Sequence, residues 1–169
     1  MPDIDDIVGA SLLAIASDPH VRQWRAKERD WVNYFTHRHL FEHCSAAGPL
    51  KHVSQIGIEV AVSQPAGYEK LTVARDLVWW AEPGATCWND TWEPCNHPLA
   101  ILEWKVHRPG HRNVKVSHER AWLRAYCAWQ HTVLGYAIEV DGCSPVATLS
   151  CARFLGATEN LAWIRVDLA

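Results

Sequence analysis

The 169-residue sequence lacks the features of membrane proteins and of secreted proteins held together by disulfides. No apolar run approaches the roughly 20 residues that a membrane-spanning helix requires. The six cysteines show no CxxC spacing, and no secretory segment precedes them. We therefore expect a soluble cytoplasmic protein that does not bind membranes and whose cysteines are mostly reduced and buried.

Several common functional motifs are also absent. The sequence has no Gly-rich phosphate loop, no GxSxG elbow, no dinucleotide fingerprint and no HExxH motif. An excess of positive charge is missing as well, since the formal net charge is −3. Any contact with nucleic acid must therefore come from a local basic patch or from bound cations.

Tryptophan, by contrast, is abundant, with ten residues in the chain. These side chains indicate large packed contacts, with a few rings available to stack on nucleic-acid bases. The chain is long enough for one domain with a substantial core, and no repeat or linker divides it. We expect residues 1–169 to form a single domain.

Hydrophobic periodicity and turn residues predict an ordered series of helices and strands. In chain order these are a helix over 3–16, a helix from Asp18-Pro19 to about Cys44, strands over 55–64, 71–80 and 99–106, a helix from Ser117 to about Gln130, and strands over 135–141 and 161–168. The three successive strands predict an antiparallel meander, and the next helix predicts a crossover back to the sheet. The expected fold is α/β, with a mixed sheet flanked by helices.

Charged residues interrupt two of the apolar strands. Asp76 lies in the middle of the strand over 71–80, and Glu103 and Lys105 lie two residues apart on the strand over 99–106. Side chains two residues apart on a strand share a face, so the acid and the ammonium point the same way. Such groups are costly to bury without a partner. The pattern indicates either a divalent-cation site or a buried structural ion-pair network.

Asp76 and the run Glu103-Trp104-Lys105, in this order of elements, resemble the PD-(D/E)xK nuclease superfamily over residues 18–141. The resemblance implies a restriction-endonuclease-like fold and Mg²⁺-dependent cleavage of DNA, with Mn²⁺ as a substitute ion. Asp76 and Glu103 would bind the metal, and Lys105 would orient water or stabilise developing negative charge. Two features depart from the family pattern. Arg75 precedes Asp76 where a proline is common, and the segment over 81–98 must form an insertion.

Two further acids are candidate metal ligands. Glu59 lies on the strand before Asp76, and the alternative is an exposed strand position. Glu28 falls at helical spacing between Trp24 and Trp31, which predicts one shared helix face. Its alternative is a rim carboxylate paired with a neighbouring base.

Candidate DNA-binding residues cluster near the third helix. Arg120 and Arg124 lie four residues apart on one predicted face, and Arg112 and Lys115 lie just upstream. The alternative is a solvated helix face with salt bridges. The acidic net charge is unusual for a DNA-cutting module that acts alone, so a homodimer or a protein partner would compensate for it. In the alternative to the nuclease, a domain of this fold without catalysis would act as a nucleic-acid or protein-binding module.

A zinc site is a further hypothesis. Cys87, Cys95 and His97 lie within the loop over 81–98, although their spacing does not match the usual paired knuckles. In that alternative the chain would be a small metalloprotein that uses its cysteines and histidines.

Overall fold

The structure, a computed structural model, describes residues 3–22, 24–110 and 117–168. Its regular elements are helices α1 (Ile4–Ala16), α2 (Glu28–Tyr34) and α3 (Ser117–Trp129), and strands β1 (Ile56–Ser63), β2 (Thr72–Trp79), β3 (Ala100–His107), β4 (Leu134–Asp141), β5 (Thr148–Leu155) and β6 (Thr158–Asp167). Helix α2 is extended by a π-helical turn over Phe35–His39 and a 3₁₀ turn over Leu40–His43. Among the described residues, no helix combines the length and the apolar character needed to cross a membrane.

All six strands form one mixed sheet in the order β1-β2-β3-β4-β5-β6. Strands β1 to β3 form an antiparallel meander, α3 crosses over to β4, and β4 runs parallel to β3. Strands β5 and β6 continue the sheet in antiparallel pairs. The predicted mixed α/β class, with a meander and a crossover helix, is confirmed.

One strand was not predicted, and one predicted helix begins at a later residue. Strand β5 was not predicted, because its small residues Ser150, Cys151 and Ala152 give no strong β-forming pattern. The helix predicted from Asp18 begins only at Glu28. Instead of capping a helix, the Asp18 carboxylate accepts hydrogen bonds from the backbone N–H of His20 and the hydroxyl of Tyr34, which holds the chain in a turn.

The sheet has a hydrophobic core on each side. One core lies against α1 and α2, and the Trp104 ring there packs 5.2 Å from the Phe35 ring. The other lies against α3, where Trp122 stacks 4.8 Å from Tyr126. Most tryptophans are thus structural, but Trp92 is 78% exposed at a loop tip.

The sheet opens beside Asp76, and this opening positions the candidate site. The β2–β3 ladder ends at the pair Leu77–Leu102, while β3 remains paired with β4 as far as His107. Glu59, opposite this point on β1, has a left-handed backbone with φ of 54°. Strands β2 and β3 therefore separate at Asp76, and side chains from both can enter the gap.

Candidate active site

Asp76 lies where β2 leaves β3, and its side chain bridges the two strands. Its Oδ2 accepts a hydrogen bond from the backbone N–H of Trp104 at 2.7 Å. This N–H has lost its partner in the ladder, so the carboxylate satisfies a donor that would otherwise be unpaired. Burial raises the pKa of Asp76, although the Trp104 hydrogen bond and the charge of Lys105 oppose that rise.

Glu103 is almost fully buried, with 5% of its side chain exposed. Its nearest cation is Arg75, whose Nη1 lies 3.4 Å from Oε1 and whose guanidinium lies 3.5 Å above the Trp122 ring. Burial raises the pKa of Glu103 to about 8, and the attraction of Arg75 opposes this only in part. Among the described residues, Oε1 has no hydrogen-bond donor. Glu103 is therefore mostly protonated at neutral pH unless another cation approaches it.

Lys105 is held between two helices. Its Nζ lies 3.1 and 3.2 Å from the two carboxylate oxygens of Glu28, the first residue of α2, and 3.5 Å from Oε1 of Glu119 in α3. Burial alone would lower the pKa of Lys105, but attraction to Glu28 and Glu119 raises it above its usual value. The ammonium therefore remains charged and its position is fixed from both sides of the sheet.

The structure places Glu28, predicted from the sequence as a candidate metal ligand, against Lys105. Burial raises its pKa, Lys105 opposes the rise, and the charges of Asp76 and Glu119 add to it. Glu119 was missed as a site residue, because an acid in the first turn of a helix is ordinarily explained by the helix dipole. Its contact with Lys105 is visible only in the folded chain, where α3 crosses over from β3 to β4.

Glu59 lies across a cleft from this group and binds a different cation. Its two oxygens accept hydrogen bonds from Nε and Nη2 of Arg29 at 2.8 and 2.6 Å. The cleft has a volume of about 340 Å³. Its lining includes acids, bases and apolar side chains: Lys27, Glu28, Arg29, Val32, Ile58, Glu59, Asp76, Val106 and Arg108.

The sequence predicted a Mg²⁺ site at Asp76 and Glu103 and raised a zinc site at Cys87, Cys95 and His97 as a further hypothesis. Within residues 3–22, 24–110 and 117–168, no group of three or more His, Cys, Asp or Glu side chains is arranged to hold a metal ion. The zinc hypothesis is not supported, since His97 lies 3.2 Å from Ser63 Oγ and 3.3 Å from Tyr126 OH through its Nδ1. The chemistry around Asp76 and Glu103 nevertheless fits a hard cation, because the donors are carboxylate oxygens and the buried Oε1 of Glu103 has only the 3.4 Å contact with Arg75 beside it. Mg²⁺ commonly takes only one or two protein carboxylates and fills its remaining positions with water and phosphate.

The predicted DNA-binding arginines are engaged within the protein. Arg120 pairs with Glu139 of β4, and Arg124 donates two hydrogen bonds to Glu159 of β6, at 2.8 and 2.6 Å. Arg112 and Lys115 lie outside the described residues.

The basic side chains that line the cleft are instead Lys27, Arg29 and Arg108. Arg108 lies shortly before the predicted Arg112 in the sequence, whereas Lys27 and Arg29 were not predicted. A sequence signal for them exists, since four of the eight residues over 22–29 are basic.

Comparison of the chain with protein-family models, with curated proteins and with solved structures finds no match. Inference about function therefore rests on the geometry and chemistry of the described residues.

Proposed function

We propose that this protein is a Mg²⁺-dependent nuclease that hydrolyses phosphodiester bonds of DNA. The observation that carries the proposal is the opening between β2 and β3, where Asp76 lines a cleft together with Glu28, the carboxylate partner of Lys105. The order of α2, β1 to β3, α3 and β4 also follows the order that the PD-(D/E)xK resemblance implies.

In this proposal Asp76 and Glu103 hold the cation. Bound Mg²⁺ would supply an acidified water and would offset negative charge on the phosphate. The raised pKa of Glu103, at about 8, fits a ligand whose negative charge is stabilised only when a second cation is present. The hydrogen bond from Trp104 uses Oδ2 of Asp76, which leaves Oδ1 to bind the cation.

Lys105 has the role of an electrostatic group. Two carboxylates keep its ammonium charged and fix its position, so little reorganisation is needed when negative charge develops nearby. Glu28 and Glu119 are positioning residues in this scheme, because they act on the reaction through Lys105.

The test is cleavage of plasmid and linear DNA by the purified protein in Mg²⁺ and in EDTA. We expect cleavage only with the metal, and a loss of about 100-fold or more in Lys105→Ala and Asp76→Asn. Lys51→Ala, which removes an exposed lysine outside the cleft, is the matched control and retains activity. Cleavage by Lys105→Ala at the rate of the unmodified protein would identify a contaminating nuclease.

A second candidate function is binding without catalysis. It is favoured by the pairing of Lys105 with Glu28 and Glu119, which forms a self-contained ion-pair network. A gel shift in low salt without divalent metal, followed by addition of Mg²⁺ to the same sample, separates the two functions. Retarded DNA that remains intact after addition of Mg²⁺ would support the binding module and contradict the nuclease.

A further inference from the structure

The pair formed by Arg29 and Glu59 has the geometry of an oxyanion clamp. Two N–H groups of the guanidinium donate in parallel to the two oxygens of one carboxylate, at 2.8 and 2.6 Å. A guanidinium grips two oxygens of a phosphate through the same planar fork. The carboxylate of Glu59 therefore occupies a position that a backbone phosphate of DNA could take.

The Arg29–Glu59 ion pair contributes little to the stability of the fold. The side chains of Arg29 and Glu59 are 67% and 50% exposed, and ion pairs this exposed add little to folding stability. The hydrogen bonds from Arg29 lower the pKa of the Glu59 carboxyl, so it is fully ionised at neutral pH. The ionised carboxylate of Glu59 and the guanidinium of Arg29 are therefore both accessible to water and to dissolved anions.

The backbone at Glu59 is held in a costly conformation. Its φ of 54° lies in the left-handed region, which residues other than glycine rarely adopt, yet the neighbouring pairs Ile58–Leu77 and Val60–Arg75 remain in register. Strained residues inside an otherwise regular strand are found disproportionately at functional sites. Here the local twist brings the Glu59 side chain into the cleft lining, opposite Arg29.

The basic side chains that line the cleft favour the binding of a polyanion such as DNA. Lys27 and Arg108 also line it, and among the described residues neither forms an ion pair. Asp76, next to the Lys105 network, belongs to the same cleft. Among the acids that line the cleft, Glu59 is the exposed one.

Building on the nuclease proposal, we infer that Arg29 is a phosphate-binding residue for the DNA backbone and that Glu59 occupies it as an internal competitor. A backbone phosphate displaces the carboxylate and takes over both guanidinium hydrogen bonds. No covalent step is involved, and the exchange itself needs no metal.

The test is a double-mutant cycle on binding of a short fluorescein-labelled DNA duplex, measured by anisotropy in EDTA. We expect Glu59→Gln to tighten binding about 3- to 10-fold and Arg29→Gln to weaken it about 10-fold. In the double variant Glu59→Gln should no longer increase the affinity for DNA, because the Arg29 guanidinium that it would release is absent. Glu59→Gly, which also suits the left-handed backbone, should tighten binding in the same way.

A second exposed ion pair provides the control. Arg38 and Glu42 form a 2.7 Å pair of similar exposure that does not line the cleft. Glu42→Gln removes the same charge, so it measures the general electrostatic effect on DNA binding. The inference is overturned if Glu59→Gln and Glu42→Gln change the affinity equally, if the gain persists without Arg29, or if the protein binds no DNA at low salt.

The outcome also separates this inference from the nuclease proposal. The expected cycle in EDTA, together with no cleavage in Mg²⁺, would support the phosphate site and reject the nuclease. Metal-dependent cleavage without coupling between Arg29 and Glu59 would support the nuclease and reject the phosphate site.

Discussion

Replacing Glu103 by glutamine should remove a loss of stability that the unmodified protein suffers as the pH rises. The folded state holds the Glu103 proton with a pKa of about 8, whereas the ordinary value is 4.5. Between these two values the unfolded chain binds fewer protons than the folded one, so stability falls as the pH increases. Above about pH 8 both states are ionised at Glu103 and the loss levels off.

The size of the effect follows from the pKa difference. Each unit of difference corresponds to about 1.4 kcal/mol, and the part of the interval lying between about pH 5 and pH 9 amounts to about 4 kcal/mol. The glutamine side chain of the Glu103→Gln variant resembles the protonated acid in shape and has no proton to lose. Removal of the acid also removes its ion pair with Arg75. A pH-independent cost of this loss would shift the free energy of unfolding of the variant by the same amount at every pH and would not change its pH dependence.

The assay is urea unfolding of both proteins across this pH range, without divalent ions. We expect the difference in unfolding free energy between Glu103→Gln and the unmodified protein to change by about 4 kcal/mol in favour of the variant from about pH 5 to pH 9. Glu42→Gln, at an exposed position, should follow the unmodified protein. Parallel curves for Glu103→Gln and the unmodified protein would refute the assignment of a raised pKa to Glu103.

Two further substitutions test the packing and charge of the site. Lys105→Met leaves Glu28 without its ammonium partner and should cost about 2 kcal/mol at neutral pH. Burial already raises the pKa of Glu28, so the cost should shrink as the pH is lowered and the carboxyl takes up a proton; thermal unfolding at neutral and acidic pH measures both. Gly135→Ala would place a Cβ 2.9 Å from Cys127 Sγ and 3.2 Å from Leu123 Cδ2, so it should cost about 1–3 kcal/mol in urea unfolding. Equal stability of either variant and the unmodified protein would contradict the corresponding contact.

The fold was largely predictable because its signals are local. Alternating apolar residues and nearby turn residues placed β1, β2 and β3 to within about two residues, and these patterns depend on neighbours along the chain. The turn at Asp18 was not predictable in this way. Its carboxylate is bound by Tyr34, so a contact distant in sequence replaced the helix cap that the Asp-Pro pair suggested.

The site was less predictable because its partners come from distant elements. Spacing alone put Arg120 and Arg124 on one helix face, but it gave no sign that Glu139 and Glu159 on other strands would neutralise them. The left-handed backbone of Glu59 likewise has no local sequence signal, since such positions usually carry glycine or asparagine. What the sequence did provide was Asp76, Glu103 and Lys105 on neighbouring strands.

Titration with Mn²⁺, followed by electron paramagnetic resonance, tests most directly whether Asp76 and Glu103 share a divalent cation. We predict one bound ion per chain that Mg²⁺ displaces, with an affinity that rises with pH up to about 8 as Glu103 loses its proton. Asp76→Asn and Glu103→Gln should lose this ion, while Glu42→Gln should keep it. Equal binding of Mn²⁺ by the unmodified protein and by Asp76→Asn would contradict a cation site at the opening between β2 and β3.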